Sequence, residues 1–260
     1  MKSYIVTLFF LGTLIVLTNG EPVFDMTSNF TLTVDQFQCL RHTEFGPFVS
    51  RVYSSDGEFD EIGWQNLYNS MAANFFVDML IVPCFNAKQS CKNGLISGAD
   101  QANAVINRVI KEDLDLYFFY IEIQGNQWPS NKTANQAFIL DMINTIKNAT
   151  VGTYGVGIKT SHKDWSAIVG STWTGASTEI LYWVNWNGKP DVTTGFIPFG
   201  GWTSVCLHQY AGNVATNNCT AGVPINYDYH SDGACTCGDS ICYKDLKKHR
   251  RVQRFLKRSQ

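Results

Sequence analysis

One carboxylate set in an apolar strand is the first feature of this sequence with chemical consequence. The run Tyr117-Phe118-Phe119-Tyr120-Ile121-Glu122-Ile123 is hydrophobic apart from Glu122, which stands just before the turn-forming Gln124-Gly125-Asn126. Residues two apart on a strand share a face, so Tyr120 and Glu122 point the same way. A carboxyl group in such surroundings has its charged form disfavoured, which favours a protonated acid near neutral pH. Protonating the leaving oxygen of a glycoside requires a group of this kind. The plain alternative is a Glu paired with a nearby Arg or Lys. Asp25, ending the first apolar run, is a second carboxylate that a barrel would bring to the same rim, unless it merely caps the turn through Thr27 and Ser28.

Other chemistries lack their residues. No Gly-rich phosphate loop follows the first strand, where Asp25, Met26 and Thr27 stand instead, so a nucleotide-binding sheet is not expected. There is no G-x-S-x-G nucleophile elbow. The 5 histidines are scattered, which gives a zinc site little support. Cys235, Cys237 and Cys242 are close enough for a metal knuckle, but secreted cysteines are far more often bridged. No metal, no cofactor and no nucleic-acid partner is expected.

The elements that must position these carboxylates follow from short apolar runs alternating with longer periodic segments. Strands are expected at Val23 to Met26, Phe48 to Tyr53, Phe76 to Pro83, Tyr117 to Ile123, Tyr154 to Thr160, Ile180 to Val184, Val205 to Tyr210 and Ile225 to Tyr229. Helices are expected after Thr33 and around Ile62 to Ala73, Asp100 to Glu112, Ala134 to Lys147 and Lys163 to Val169. Thr33 with Gln36, and Thr133 with Gln136, have capping-box spacing. Ala134, Phe138, Ile139, Met142, Ile143 and Ile146 recur at helical spacing and define a packing face. The pattern is α/β, and of the two closures open to it, a barrel or a doubly wound sheet, eight strands suggest the barrel. Both place ligands at the carboxyl ends of the strands. The later strands lack helical spacers, so the expected fold is an irregular TIM-like barrel with helices mainly in its first five units.

The ends of the chain describe its compartment. Lys2, an apolar run from Tyr4 to Leu17 and small residues before Glu21 read as a signal peptide over 1–20, too short to span a membrane at the roughly 20 residues that needs. The competing reading is an uncleaved anchor. About 240 residues remain, enough for one core. A barrel domain is expected over 21–232 and a Cys-containing basic tail over 233–260. All 8 cysteines lie beyond the signal, which in an oxidising compartment argues for up to four disulfides. N-x-Ser/Thr acceptors begin at Asn29, Asn131, Asn148 and Asn218, consistent with surface loops. From Lys244 onward the net charge is +7, whereas Glu21 to Tyr243 carries −10. Such a tail could dock on anionic surfaces or fold back on the body, or be a frayed or trimmed terminus with a processing site at Arg251 to Arg254.

Several segments together resemble the family 25 glycoside hydrolase lysozymes of amoebae and invertebrates, from about Val23 to Tyr229. They are Val23-Phe24-Asp25-Met26-Thr27-Ser28 with Phe37-Gln38-Cys39-Leu40, Arg51-Val52-Tyr53, Asp78 to Cys84, Trp128 with Asn135-Gln136-Ala137-Phe138, Gly155-Val156-Gly157-Ile158 before Trp165, Phe196 to Trp202, and Gln209-Tyr210. The resemblance implies a secreted barrel that cuts the linkage between N-acetylmuramic acid and N-acetylglucosamine in bacterial peptidoglycan, in defence or digestion, and the protein is expected to act as a monomer. It also implies that Glu122 is the general acid and that Asp25 matches the family's first-strand carboxylate, a stabiliser here. The family's Asp two residues before that Glu, which assists the substrate acetamido group, is Tyr120 in this chain. Its late-strand Asp corresponds best to Asn226, with Asp228 facing the same way, and Lys159 stands where a Tyr is common. Tyr120, Lys159, Trp183, Asn226, Asp228 and Tyr210 are the expected substrate-binding residues. Trp128, Tyr182, Trp183, Trp186 and Tyr210 are rim aromatics able to hold glycan. Two functions stay open: a muramidase, weakened because a neutral phenol replaces a carboxylate and because Lys159 would lower the pKa of Glu122 if it reaches it, or a silent relative that binds glycan without cutting.

Overall fold

A computed structural model of the chain describes residues 20–26, 29–43, 45–85, 91–125, 127–150 and 154–231. The expected leader (except Gly20), the basic tail and the trio Cys235, Cys237 and Cys242 lie outside these residues. Eight strands close into a barrel in chain order: β1 (Gly20–Met26), β2 (Phe48–Tyr53), β3 (Val77–Ile81), β4 (Phe118–Ile123), β5 (Gly155–Thr160), β6 (Ile180–Val184), β7 (Leu207–Val214) and β8 (Ile225–Ser231). Neighbours from β1 to β7 pair in parallel, and β8 runs antiparallel to both β7 and β1. Helices α1 (Val34–His42), α2 (Glu61–Ala72), α3 (Gly98–Lys111), α4 (Lys132–Thr150) and α5 (His162–Ile168) follow the first five strands in turn. The irregular barrel expected from the strand and helix pattern is the observed fold.

Two core layers hold it. Between strands and helices, α4 buries Ile139, Met142, Ile143 and Ile146, as its periodicity predicts, and α3 buries Val105, Ile106 and Val109. Inside the barrel, Val23, Val49, Leu80, Phe118, Tyr120, Tyr182 and Leu207 form a second cluster. Gly155 and Gly157 make room for it. A Cβ on Gly155 would stand 2.1 Å from the Phe118 ring, and one on Gly157 2.4 Å from Tyr120. The β4 rings therefore lean across β5 into the barrel, where any larger residue would collide with them.

The capping boxes divide. Thr33 and Gln36 exchange both bonds, Gln36 N–H to Thr33 Oγ1 at 3.2 Å and Thr33 N–H to Gln36 Oε1 at 2.9 Å. Thr133 lies inside α4, which starts at Lys132, two residues before the expected Ala134: Asn131 Oδ1 accepts from Ala134 N–H at 3.1 Å, and Gln136 instead donates to the Val169 carbonyl at the end of α5. Strand β7 also runs past the expected Tyr210 to Val214, since its pairing with β8 continues through register shifts after Gln209 and Ala211. The four glycosylation acceptors are exposed, but Asn148 lies in the last turn of α4 and Asn218 in a 3-10 turn, Asn218–Thr220, not in loops.

All five described cysteines are bridged. Cys84 pairs with Cys91, Cys206 is disulfide-bonded, and Cys39 pairs with Cys219 across 180 residues, tying α1 to the 3-10 turn before β8. A bond closing so long a loop removes much unfolded-state entropy. Replacing Cys39 and Cys219 together by Ala should lower the unfolding free energy by about 2–5 kcal/mol, read from urea melts.

Candidate active site

Side chains from β5, β6, β7 and β8 converge on one buried carboxylate of β1, with Glu122 of β4 beside them. Asp25 has no exposed surface, and four side chains donate to it: Lys159 Nζ at 2.8 Å, Gln209 Nε2 at 2.5 Å and the Tyr182 hydroxyl on Oδ2, and Asn226 Nδ2 at 2.6 Å on Oδ1. Strand alternation puts them there. Asp25 and Asn226 are register partners across β1 and β8, while Tyr182 and Gln209 take inward positions on β6 and β7. Lys159 is itself only 2% exposed and stands opposite Glu122 in the β4–β5 register, its ammonium 3.6 Å from Glu122 Oε2. Glu122 is the member that meets solvent, with 17% of its side chain exposed.

Electrostatics separates the roles. Burial pushes the pKa of Glu122 up, the Lys159 ammonium pulls it down, Asp25 pushes it up and Arg51 pulls it down, and the net direction is up. Lys159 thus reaches Glu122 and pulls its pKa down, as the sequence allowed, but burial together with Asp25 outweighs that pull. Burial opposes the charge of Lys159, but Asp25, Glu122 and Asp228 outweigh it and its pKa is raised. One layer deeper, Asp228 is fully buried, and burial, reinforced by Asp25 and opposed by Lys159, Tyr182 and Gln209, drives its pKa well above the usual carboxylate range.

The expected site residues therefore fall into three places. Asp25, Glu122, Lys159 and Asn226 are brought together. Tyr120 and Asp228 lie beneath them inside the barrel; Tyr120 has no exposed surface, its hydroxyl has no hydrogen-bond partner, and its ring meets Tyr182 edge-on at 5.2 Å. Trp183 and Tyr210 lie apart: Trp183 faces outward, 4% exposed and stacked on His208 at 4.2 Å, and half-buried Tyr210 packs beside Tyr227, its pKa pushed up to about 12 by burial and by Asp228. Tyr182 was expected only as a rim aromatic and Gln209 only as part of the Gln209-Tyr210 segment, neither as a partner of Asp25. Gln209 belongs to a recognisable segment, and an amide at an inward strand position beside Leu207 is the sign that could have exposed it.

The profile of the family described as Lysozyme-like protein 1 matches residues 21–210. Lysozyme-like protein 5 of Caenorhabditis elegans is 30% identical over 87% of this chain and 99% of its own length, and probable GH family 25 lysozyme 5 of Dictyostelium discoideum is 29% identical over 86% and 98%. The chain belongs to the lysozyme-like proteins of glycoside hydrolase family 25. The fold agrees: the bacterial lysozyme of Streptomyces coelicolor superposes with a TM-score of 0.62 at 16% identity, covering 85% of this chain and 96% of the other. In this lysozyme-like protein Glu122 stands near the end of β4, and two residues before it is Tyr120, a phenol sealed in the barrel.

The buried pair carries a testable cost. Lys159→Met leaves Asp25 charged and without its cation, and should lower the unfolding free energy by about 3–5 kcal/mol; with Asp25→Asn added, the loss should fall short of the sum of the two single losses. Denaturant melts of the four proteins check this. Glu122 adds a pH term of known sign: because the folded protein holds its proton more tightly than the unfolded chain, stability falls as pH rises from the ordinary glutamate range through the raised value.

Proposed function

We propose that this protein is a secreted lysozyme-like muramidase that cuts the N-acetylmuramic acid to N-acetylglucosamine linkage of bacterial peptidoglycan, with Glu122 as the general acid. The observation that carries the reading is that Glu122 is the partly open carboxyl of a cluster whose ion pair is sealed, with its pKa raised by burial and by Asp25. A proton held there can pass to a glycosidic oxygen, leaving a carboxylate that Lys159, 3.6 Å away, stabilises as it forms. Asp25 does not meet substrate. With no exposed surface and four donors on it, it acts as a positioning residue that fixes Lys159 and lifts the pKa of Glu122.

The chain is read as a monomer with a leader at 1–20, a catalytic domain at 21–232 and a basic tail at 233–260 suited to anionic bacterial envelopes. Its role is defence against bacteria or their digestion.

A second reading has its own observation. At Tyr120 no carboxylate is available to assist the substrate acetamido group, and the phenol there has no exposed surface, which suits a relative that holds glycan without cutting it. Incubation with purified peptidoglycan separates the two by reducing ends released. The muramidase reading expects release by the wild type, a loss of about 10²-fold or more in Glu122→Gln, and activity that falls as pH rises through the raised pKa of Glu122. Equal release from both proteins removes Glu122 as the acid. Binding without release establishes the second reading.

A further inference from the structure

Of the five aromatic residues expected at the rim, four are buried or half-buried and one is open. Trp128, Tyr182 and Trp183 are at most 5% exposed, whereas Trp186, just past the carboxyl end of β6, is 56% exposed. Its exposure is not that of a loose side chain. A Cβ on Gly212 would lie 2.0 Å from the indole, so the ring rests against bare backbone on β7, where only glycine leaves room. Its N–H donates to Gln209 Oε1 at 2.9 Å, and the amide of the same Gln209 donates to Asp25 Oδ2 at 2.5 Å. The loop is pinned as well, with the His208 ring nitrogens facing the carbonyls of Asn185 and Asp191. An exposed tryptophan held in place on one side and along one edge offers a preset apolar surface, so a ligand that stacks on it meets little further ordering cost.

We propose that Trp186 is a saccharide subsite, its open ring surface taking the apolar C–H face of a pyranose ring of the glycan chain, and that its contact with Gln209 sets this ring in register with the Asp25–Lys159–Glu122 cluster. The occupant is argued from continuity: Trp186 is two hydrogen bonds from Asp25, whose Lys159 partner faces Glu122. The inference rests on the glycan-directed reading above and names where part of that glycan lies.

The test is isothermal titration of the full chain with a soluble N-acetylglucosamine tetramer, alongside release from peptidoglycan. Trp186→Ala should weaken tetramer binding by about tenfold, while Trp186→Phe, which keeps a ring over Gly212, should stay within about threefold of the wild type. Gly212→Val, which displaces the indole without removing it, should reproduce the alanine loss. Unchanged affinity in both Trp186→Ala and Gly212→Val overturns the subsite and leaves the glycan reading standing. A wild type that neither binds the tetramer nor acts on peptidoglycan overturns both. Loss in Trp186→Ala with Gly212→Val unaffected overturns the backbone-seated geometry on which the subsite depends.

Discussion

The site is organised around a buried ion pair, Asp25 with Lys159, that joins strands on different sides of the barrel. Two charges removed from water carry a large desolvation cost, and their attraction offsets it only where the remaining hydrogen-bonding capacity is filled. Here it is filled: Tyr182, Gln209 and Asn226 each donate to Asp25, so β1, β5, β6, β7 and β8 all contribute to one carboxylate. The barrel needs its closed geometry to bring these residues together, since Asp25 and Lys159 are 134 residues apart in the chain. In turn, the pair sets the electrostatic floor under Glu122.

The same arrangement bears on positions 120 and 159, where the resemblance implies other residues. Lys159 supplies a cation where the resemblance implies a tyrosine, and that cation lies 2.8 Å from Asp25 and 3.6 Å from Glu122. Tyr120 does not act as a substitute for the missing carboxylate at the rim. It is a core residue, seated over Gly157 and against Tyr182, and its buried hydroxyl has no hydrogen-bond partner. The altered chemistry at that position is therefore also a matter of packing: the volume of a ring now occupies barrel space that a smaller acidic side chain would leave open.

Much of this was legible in the sequence, for identifiable reasons. The apolar run around Glu122 could only be a buried strand, and the two-residue period correctly aligned Tyr120 with it. Depth along that face was not legible, because alternation says which side a residue takes and nothing of how far below the rim it lies. Adjacent aromatics Tyr182 and Trp183 illustrate the same limit, one pointing to Asp25 and the other outward onto His208, a choice that depends on register with β5 and β7. Gln209 carries no charge and titrates nowhere, so nothing in its type announced a link between the rim and Asp25. At Asn131 two competing acceptors close in sequence, Asn131 and Thr133, were each able to cap α4, and packing of Gln136 against α5 decided between them.

At the centre of the site, burial and Asp25 together outweigh the pull of Lys159 and Arg51, so the pKa of Glu122 is raised beside a sealed ion pair. A carbon-detected NMR titration of the Glu122 side-chain carboxyl, assigned by its disappearance in Glu122→Gln, tests this most directly. The account expects a midpoint above the ordinary glutamate value of about 4.3, moving down when Asp25 is replaced by Asn with Lys159 retained. A midpoint at or below that ordinary value in the wild type would contradict it, and would show Lys159 to be the partner of Glu122 first and of Asp25 second.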